Sequence, residues 1–318
     1  IDAELNAEIV AICDIDIDKC KSITDLYGPI PTYTDYKKLL KETDADLISI
    51  ATPHGLHAEM SINSLKSGRH VLVEKPMALT PADCKKMIQT SEEVGKKLIV
   101  IKQNRFNIPI KLVKKAIDES RLGKIYMVQC NVMWNRHSGY YTDSDWRGKK
   151  ELEGGVLHTQ VSHFIDLMIW WFGELVEAKT IIDTLNHNIE IEDAGVSAMK
   201  FNSGVIGSLL WTTNVYNNNY EGSITIIGEK GTIKIGGKYL NKIEYWDVQS
   251  YPLPENIIFE DKPNNYGKYQ GTSSNHDKML DEVIGFFNKG RKEIVEGLEG
   301  KKTIDAIELI YKDTFLSN

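Results

Sequence analysis

The chain has 318 residues, 42% of them hydrophobic and 26% charged, with a formal net charge of −7. That length is ample for two domains, the composition is that of a globular protein in water, and the acidic balance excludes nucleic acid as a partner, which would require clustered Lys and Arg. Four cysteines without metal-type spacing and no apolar run near the roughly 18 residues of a membrane span exclude a thiolate metal site and a membrane protein; free thiols and a cytoplasmic setting are expected.

The first hundred residues alternate short apolar runs with helical patterns. "AEIVAICDID" reads as a strand ending at Asp14, and "DKCKSITDLYG" as a helix stopped by Gly28. "ADLISIATP" is a second strand, "LHAEMSINSLKSG" a second helix, and "HVLVEKP" a third strand. "TPADCKKMIQTSEEVG" is a helix opened by Thr80 with Pro81 at its first position, and "KKLIVIKQN" is a fourth strand. Strands separated by helices of this length imply parallel pairing through right-handed crossovers, hence a Rossmann-type doubly wound α/β sheet.

From about residue 123 the texture changes. "KIYMVQCNVMW", "AKTIIDTL", "DAGVSAMKF", "GVIGSLLWTTNVY" and "NKIEYWDV" are strand-like, and "IIGEKGTIKI" is a hairpin with Gly228 and Gly231 bracketing its turn. Two helical patterns, "NHDKMLDEVIGFFNKG" and "GKKTIDAIELIYKDTF", close the chain. The expected organisation is a dinucleotide-type domain over residues 1–122 and an α+β domain with a large, mostly antiparallel open sheet over 123–318. An open sheet invites a sister subunit, so a homodimer or homotetramer is expected.

An acidic residue closing the second strand of a dinucleotide fold accepts hydrogen bonds from ribose hydroxyls and favours NAD over NADP; an Asx turn would look the same. No GxGxxG precedes Asp14, and a strand–helix–strand unit needs about 30 residues where only 13 stand before it. A strand and glycine-rich turn of roughly 20 residues are therefore expected ahead of the first residue given. Lys75 is the other anomaly, a cation at the mouth of an apolar strand, where lysine seldom sits without a partner. Desolvation there, and the positive charge of a nicotinamide ring, would lower its pKa from about 10.4 and let it accept a proton.

"ATPHGLHAE", "VLVEKPMALT", "IVIKQNR", "DWRGKKELEGGVLHTQVSHFIDLMIWWFG" and "GSITIIGEKGTIKI" together resemble the Gfo/Idh/MocA oxidoreductase family, in that family's order. "KQNRFN", "GKIYMVQCNVMWNR", "SDWRG" and "NIEIEDAG" are most similar to its branch acting on a UDP-linked N-acetylglucosaminuronate. The resemblance implies NAD-dependent oxidation of the sugar C3′ hydroxyl to a 3-keto product, for surface polysaccharide sugars. Another sugar or polyol as substrate, or a non-catalytic sensor, are the alternatives. It implies Lys75 and His163 as the proton-handling pair, with the base among them left open, and a cis bond to Pro76 that directs the lysine. It places Asp14, Ile15, Thr52, Pro53, His57, Glu74, Lys75, Gln103, Trp146 and Arg147 on the cofactor, with no metal. For the anionic sugar nucleotide Arg105, Arg136, Tyr140, Tyr141 and His163 are the expected contacts. Many family members carry Asp four residues before the histidine; Thr159 stands there, as in that branch, which puts a relay through a carboxylate at that position in doubt.

Overall fold

The computed structural model describes residues 7–255, 257, 263–265, 270–273, 275–312 and 314–315. Strands and helices alternate first: β1 (Ile12–Cys13), α1 (Ile17–Tyr27), β2 (Thr32–Tyr33), α2 (Tyr36–Glu42), β3 (Leu47–Ile50), α3 (His57–Lys66), β4 (His70–Val73), α4 (Pro81–Val94), β5 (Leu98–Val100) and α5 (Ile108–Asp118). β3, β4 and β5 pair in parallel in that order, with Leu47 opposite His70 and Val71 opposite Leu98. Their unbroken apolar runs suit strands covered on both faces, and Val71, Leu72, Val73, Ile99 and Val100 are fully buried. The code for α4 is local. Thr80 Oγ1 accepts from the Asp83 amide at 3.1 Å, Pro81 sits where no amide partner is needed, and Gly95 ends the helix at φ 66°.

The strand expected to end at Asp14 contracts to Ile12–Cys13 and pairs in parallel with Thr32–Tyr33 only. That second strand follows Pro29 and Pro31 and is two residues long, too short for alternation to reveal it. The seven-residue α2 was also missed, although Asp35 caps it by accepting from the Lys37 amide. Among the described residues no strand bridges the β1–β2 pair to the β3–β5 sheet.

The remainder is built on one sheet of eight strands. In chain order come β6 (Ile125–Met133), α6 (Ser138–Thr142), α7 (Ser162–Phe172), β7 (Leu175–Asp183), β8 (Ala194–Phe201), β9 (Ile206–Thr212), β10 (Glu221–Gly228), β11 (Gly231–Gly236) and β12 (Lys242–Val248). β13 (Pro263–Asn265), β14 (Gln270–Ser273), α8 (His276–Lys289), α9 (Gly297–Lys312) and β15 (Thr314–Phe315) follow. The order is β12-β11-β10-β6-β9-β8-β7-β15, antiparallel except for β6 beside β9 and β7 beside β15. The hairpin turns where expected, Gly228 opposite Gly231. Alternate residues of β6, among them Val128, Cys130 and Val132, share one buried core with Phe164 of α7 and Ile307 of α9. The opposite face is open, with Met127 47%, Val196 43% and Ile206 47% exposed.

The helix expected from near Gly155 does not begin as an α-helix. A turn of π-helix covers Leu157–Val161 before α7 takes over at Ser162. Such a turn loosens the regular backbone ladder and is a common device beside functional groups. Here the Thr159 carbonyl accepts a bond from a side chain of the N-terminal half, Lys75.

Candidate active site

The carboxyl ends of β3, β4 and β5 open into a cleft of about 240 Å³, walled on its far side by the segments after β6 and the π turn before α7. Ligands gather at that end of an open parallel sheet. Lys75 follows β4, and the peptide joining it to Pro76 is cis. Its Nζ points into the cleft and donates to Thr159 O at 2.7 Å. Burial, reinforced by Lys102 and Arg136 and opposed by Glu74 and Glu153, lowers its pKa to about 8. His163 is one turn into the same helical run, 4% exposed, and lines the cleft as well. Desolvation, with Lys75 and Lys102 nearby, holds its imidazole well below its ordinary value. Among the described residues no hydrogen bond occupies that ring. A neutral imidazole and an amine that gives up its proton near pH 8 thus share one small volume.

Two cations flank the outer part of the cleft. The Arg147 and Arg136 guanidinium carbons lie 4.1 Å and 5.3 Å from the centre of the Tyr140 ring. Tyr140 Oη takes a bond from Gln160 Nε2 at 3.1 Å. Behind Arg136 stands a buried frame. Asp193 accepts from the amides of Leu185, Asn186 and His187 and from Asn214 Nδ2, while the His187 ring bridges Asp193 Oδ2 at 3.1 Å to Arg136 O at 2.7 Å.

Thr52, His57, Glu74, Lys75, Gln103, Trp146 and Arg147, all expected on the cofactor, line the cleft, as do Arg136, Tyr140 and His163 from the substrate set. His57 is placed there but committed elsewhere: its two ring nitrogens lie 2.7 Å from Pro76 O and 2.9 Å from Thr52 O, so it fastens the loop after β3 to the loop after β4. Arg105 does not reach the cleft. It makes a two-pronged pair with Asp166 at 2.8 and 2.9 Å, touches Glu299, and lies 4.7 Å over the Trp170 ring. The expectation of a substrate contact gives way to a buried ion cluster, because Asp166, on the helix that carries His163, draws the guanidinium inward. Tyr141 packs behind the wall, 3.3 Å from Thr213 Oγ1 and against the His187 ring. Pro53 only starts the turn into α3. Asp14 and Ile15 stand at the end of β1, away from these lining residues. Asp14 Oδ1 accepts from the Asp16 amide at 2.9 Å, the Asx geometry left open above, and Ile15 is 92% exposed.

Several lining residues were not picked out from the sequence: His54, Trp134, Gln160 and His276, the last with its Nε2 3.0 Å from Glu74 Oε1. Glu153 was missed too. It is fully buried, and its Oε1 accepts from Thr159 Oγ1 at 2.8 Å while Oε2 accepts from the Gly148 amide. Neither Glu153 nor His276 carries a local signal. A glutamate in "KKELEGG" reads as surface charge, and His276 lies 202 residues from its partner.

The donor set fits the nicotinamide half of a dinucleotide. Gln103 Oε1 and Gln160 Oε1 are buried acceptors with no partner among the described residues, in a cleft that also presents Thr52, Glu74 and Lys75. Such acceptors suit a ligand bearing amide or hydroxyl donors. Asp14, half-exposed at the carboxyl end of a parallel strand, suits ribose hydroxyls.

Residues 2–102 match the oxidoreductase family with NAD-binding Rossmann fold of the GFO/IDH/MocA group, and residues 110–234 match the GFO/IDH/MocA C-terminal domain. The WlbA dehydrogenase of Bordetella pertussis, solved in complex with NADH and UDP-GlcNAcA, is 36% identical over 96% of this chain and 88% of its own, with a TM-score of 0.86. The WlbA dehydrogenase of Chromobacterium violaceum, in complex with the same two ligands, is also 36% identical over 96% of this chain and 86% of its own, at TM-score 0.87. A 1-carboxy-3-chloro-3,4-dihydroxycyclohexa-1,5-diene dehydrogenase of Comamonas testosteroni is 30% identical over 70% of this chain, and an inositol 2-dehydrogenase of Salmonella typhimurium 27% over 55%. The chain spans 56% and 49% of those two proteins, about half the length of the curated relatives it matches.

Proposed function

The chain belongs to the GFO/IDH/MocA oxidoreductase family, with an NAD-binding Rossmann fold, and from that premise we propose that it oxidises the C3′ hydroxyl of UDP-N-acetylglucosaminuronate to the 3-keto sugar nucleotide. The observation that carries this reading is the cleft that Lys75 and His163 share, in a chain 36% identical to enzymes crystallised with that sugar nucleotide and NADH. Bound NAD supplies the acceptor for the hydride that leaves C3′. Thr52, Glu74 and Gln103 hold its nicotinamide end, Trp146 and Arg147 flank it, and Asp14 takes the adenosine ribose.

Lys75 then collects the hydroxyl proton as the C3′–O bond becomes a carbonyl. Between the two candidate bases the proton goes to the group with the greater affinity for it, and burial lowers the imidazole well below its ordinary value while the amine lies near 8. The ammonium so formed keeps its bond to Thr159 O. His163 bonds the hydroxyl and holds it toward Lys75. Arg136, with its carbonyl fixed by His187, faces the substrate's anionic groups, and Tyr140 forms the wall between the two arginines. We assign the cofactor to residues 1–122, with Trp146 and Arg147 reaching it from the second half, and the sugar wall to 123–318, and take the open sheet face as the surface on which copies of the chain assemble. Its use of NAD and a UDP-sugar favours a cytoplasmic setting.

The test is absorbance at the reduced-nicotinamide band after mixing protein, NAD and UDP-N-acetylglucosaminuronate. The reading expects a rise with the UDP-sugar and little with the free uronate. A flat trace would reject it, and equal turnover of the free sugar would reassign the substrate.

A further inference from the structure

We propose that Glu153 is a positioning residue for the proton acceptor: its buried carboxylate holds Thr159, and through that residue it keeps Lys75 in place and supplies a counter-charge to the ammonium from the opposing wall. The proposal deepens the function above and rests on Lys75 being the acceptor. Its geometry is a two-step chain. Glu153 Oε1 accepts from Thr159 Oγ1 at 2.8 Å, and Thr159 O accepts from Lys75 Nζ at 2.7 Å. The carboxylate that position 159 lacks is delivered from six residues earlier in the sequence. No proton need pass through it, because Lys75 bonds the carbonyl of Thr159 and not its hydroxyl.

Three features make this more than a satisfied buried acid. Glu153 has no solvent exposure, and an unpaired charge there would cost several kcal/mol. Burial raises the Glu153 carboxyl above its ordinary value, and two donors to its oxygens, the Gly148 amide and the Thr159 hydroxyl, oppose that shift by favouring the ionised form. Its backbone oxygen also accepts from His54 Nδ1 at 2.9 Å, which ties the turn to the loop after β3. The carboxylate is therefore held rigidly across the strand-end cleft from the lysine.

The other charged groups around both partners divide by sign. Lys75 faces Glu74 from its own strand end, which together with Glu153 raises its proton affinity, and Lys102, Arg136 and the ring of His163, of which the two cations lower it. Glu74 is the stronger of the two carboxylates acting on Lys75, and its Oε1 lies 3.0 Å from His276 Nε2. Glu153 faces Arg136 and Arg147, which stabilise its ionised form, and Tyr141. Among these the carboxylate of Glu153 is the one joined to Lys75 through a single residue of the opposing wall, Thr159, whose hydroxyl bonds the one and whose carbonyl bonds the other.

Reductive methylation with ¹³C-formaldehyde labels lysine amines, and the Lys75 dimethylamine resonance is the one absent from Lys75→Arg. Its titration needs neither cofactor nor turnover. In the native protein the midpoint is expected near 8. Glu153→Gln is isosteric, since the amide can accept from Gly148 and donate to Thr159 Oγ1, which turns to Gly155 O at 3.2 Å. That variant is expected to shift the midpoint down by about half to one unit, and the acidic limb of kcat/KM with it. Glu153→Asp keeps the charge and is expected to retain a midpoint within about 0.3 of native, which supplies the reading should the Gln variant not fold. A midpoint unchanged in Glu153→Gln, or one moved by a full unit in Glu153→Asp, overturns the proposal while leaving Lys75 as the acceptor. A native midpoint near the ordinary lysine value overturns both.

Discussion

Lys75 shows how far a single residue can be read. A cation at the mouth of an apolar strand is anomalous in any sequence, and the fold resolves the anomaly by giving it one backbone acceptor and a largely desolvated cleft. A proton acceptor must be neutral to act, so kcat/KM is expected to rise with pH and level off above about 8, as a pH–rate profile would show. Lys75→Met is expected to lower turnover by about 10²–10⁴ while UDP-sugar affinity, measured by calorimetry, stays close to native. Normal turnover of that variant would remove the lysine from the mechanism. Arg105 teaches the reverse. An arginine in "KQNR" is chemically fit for an anionic ligand, and nothing local says that Asp166 will claim it. Arg105→Ala is therefore expected to cost about 3 kcal/mol of stability in denaturant titration, with no direct effect on substrate affinity.

The helical run from Leu157 to Phe172 carries Thr159, Gln160 and His163, and its start is fixed by two side chains far along the sequence. Glu192 Oε1 accepts from the Leu157 amide at 3.2 Å and from Tyr311 Oη at 2.7 Å. Gly155, at φ 142°, passes so close that a Cβ there would stand 2.0 Å from Tyr311 Oη. Gly155→Ala is expected to lower the melting temperature and misplace the π turn, with kcat falling more than stability alone accounts for. Burial raises the Glu192 carboxyl to about 7. A folded-state pKa above the unfolded value of about 4.3 means stability is fully present below that value and is lost as pH rises through 7, by roughly 3–4 kcal/mol. A stability-against-pH series should show that fall, and Glu192→Gln should flatten it. The pattern "GGVLHTQVSH" announces a helix but not its π register, since the register depends on Lys75, Glu192 and Tyr311 meeting it in space.

At the scale of the whole molecule the N-terminal half is fastened to the rest by buried charge as well as by the shared core. Lys102 and Arg105, after β5, converge on Asp166 of α7 at 3.1 and 2.8 Å, and Thr303 of α9 adds a hydroxyl at 3.2 Å. The two cations hold the Asp166 carboxyl far below the ordinary carboxylate range. Its stabilising share is full above about pH 3.9 and is lost as acid drives the pH below it. Acid unfolding should therefore begin sooner in Asp166→Asn, which leaves Lys102 and Arg105 buried without their counter-ion at a cost of about 3–5 kcal/mol at neutral pH, by thermal melts across pH. The parallel β3–β5 core, the hairpin at Gly228–Gly231, the caps of α4 and the singular lysine were legible in the chain, because periodicity, turn residues and an apolar run broken by one cation are local properties. The short β2, the π turn, and the partners Glu153 for Thr159, His276 for Glu74 and Asp166 for Arg105 were decided by the tertiary structure alone. A charged side chain in a polar stretch looks solvated until packing strips its water away, and only then does its choice of partner become the difference between a surface charge and part of a site.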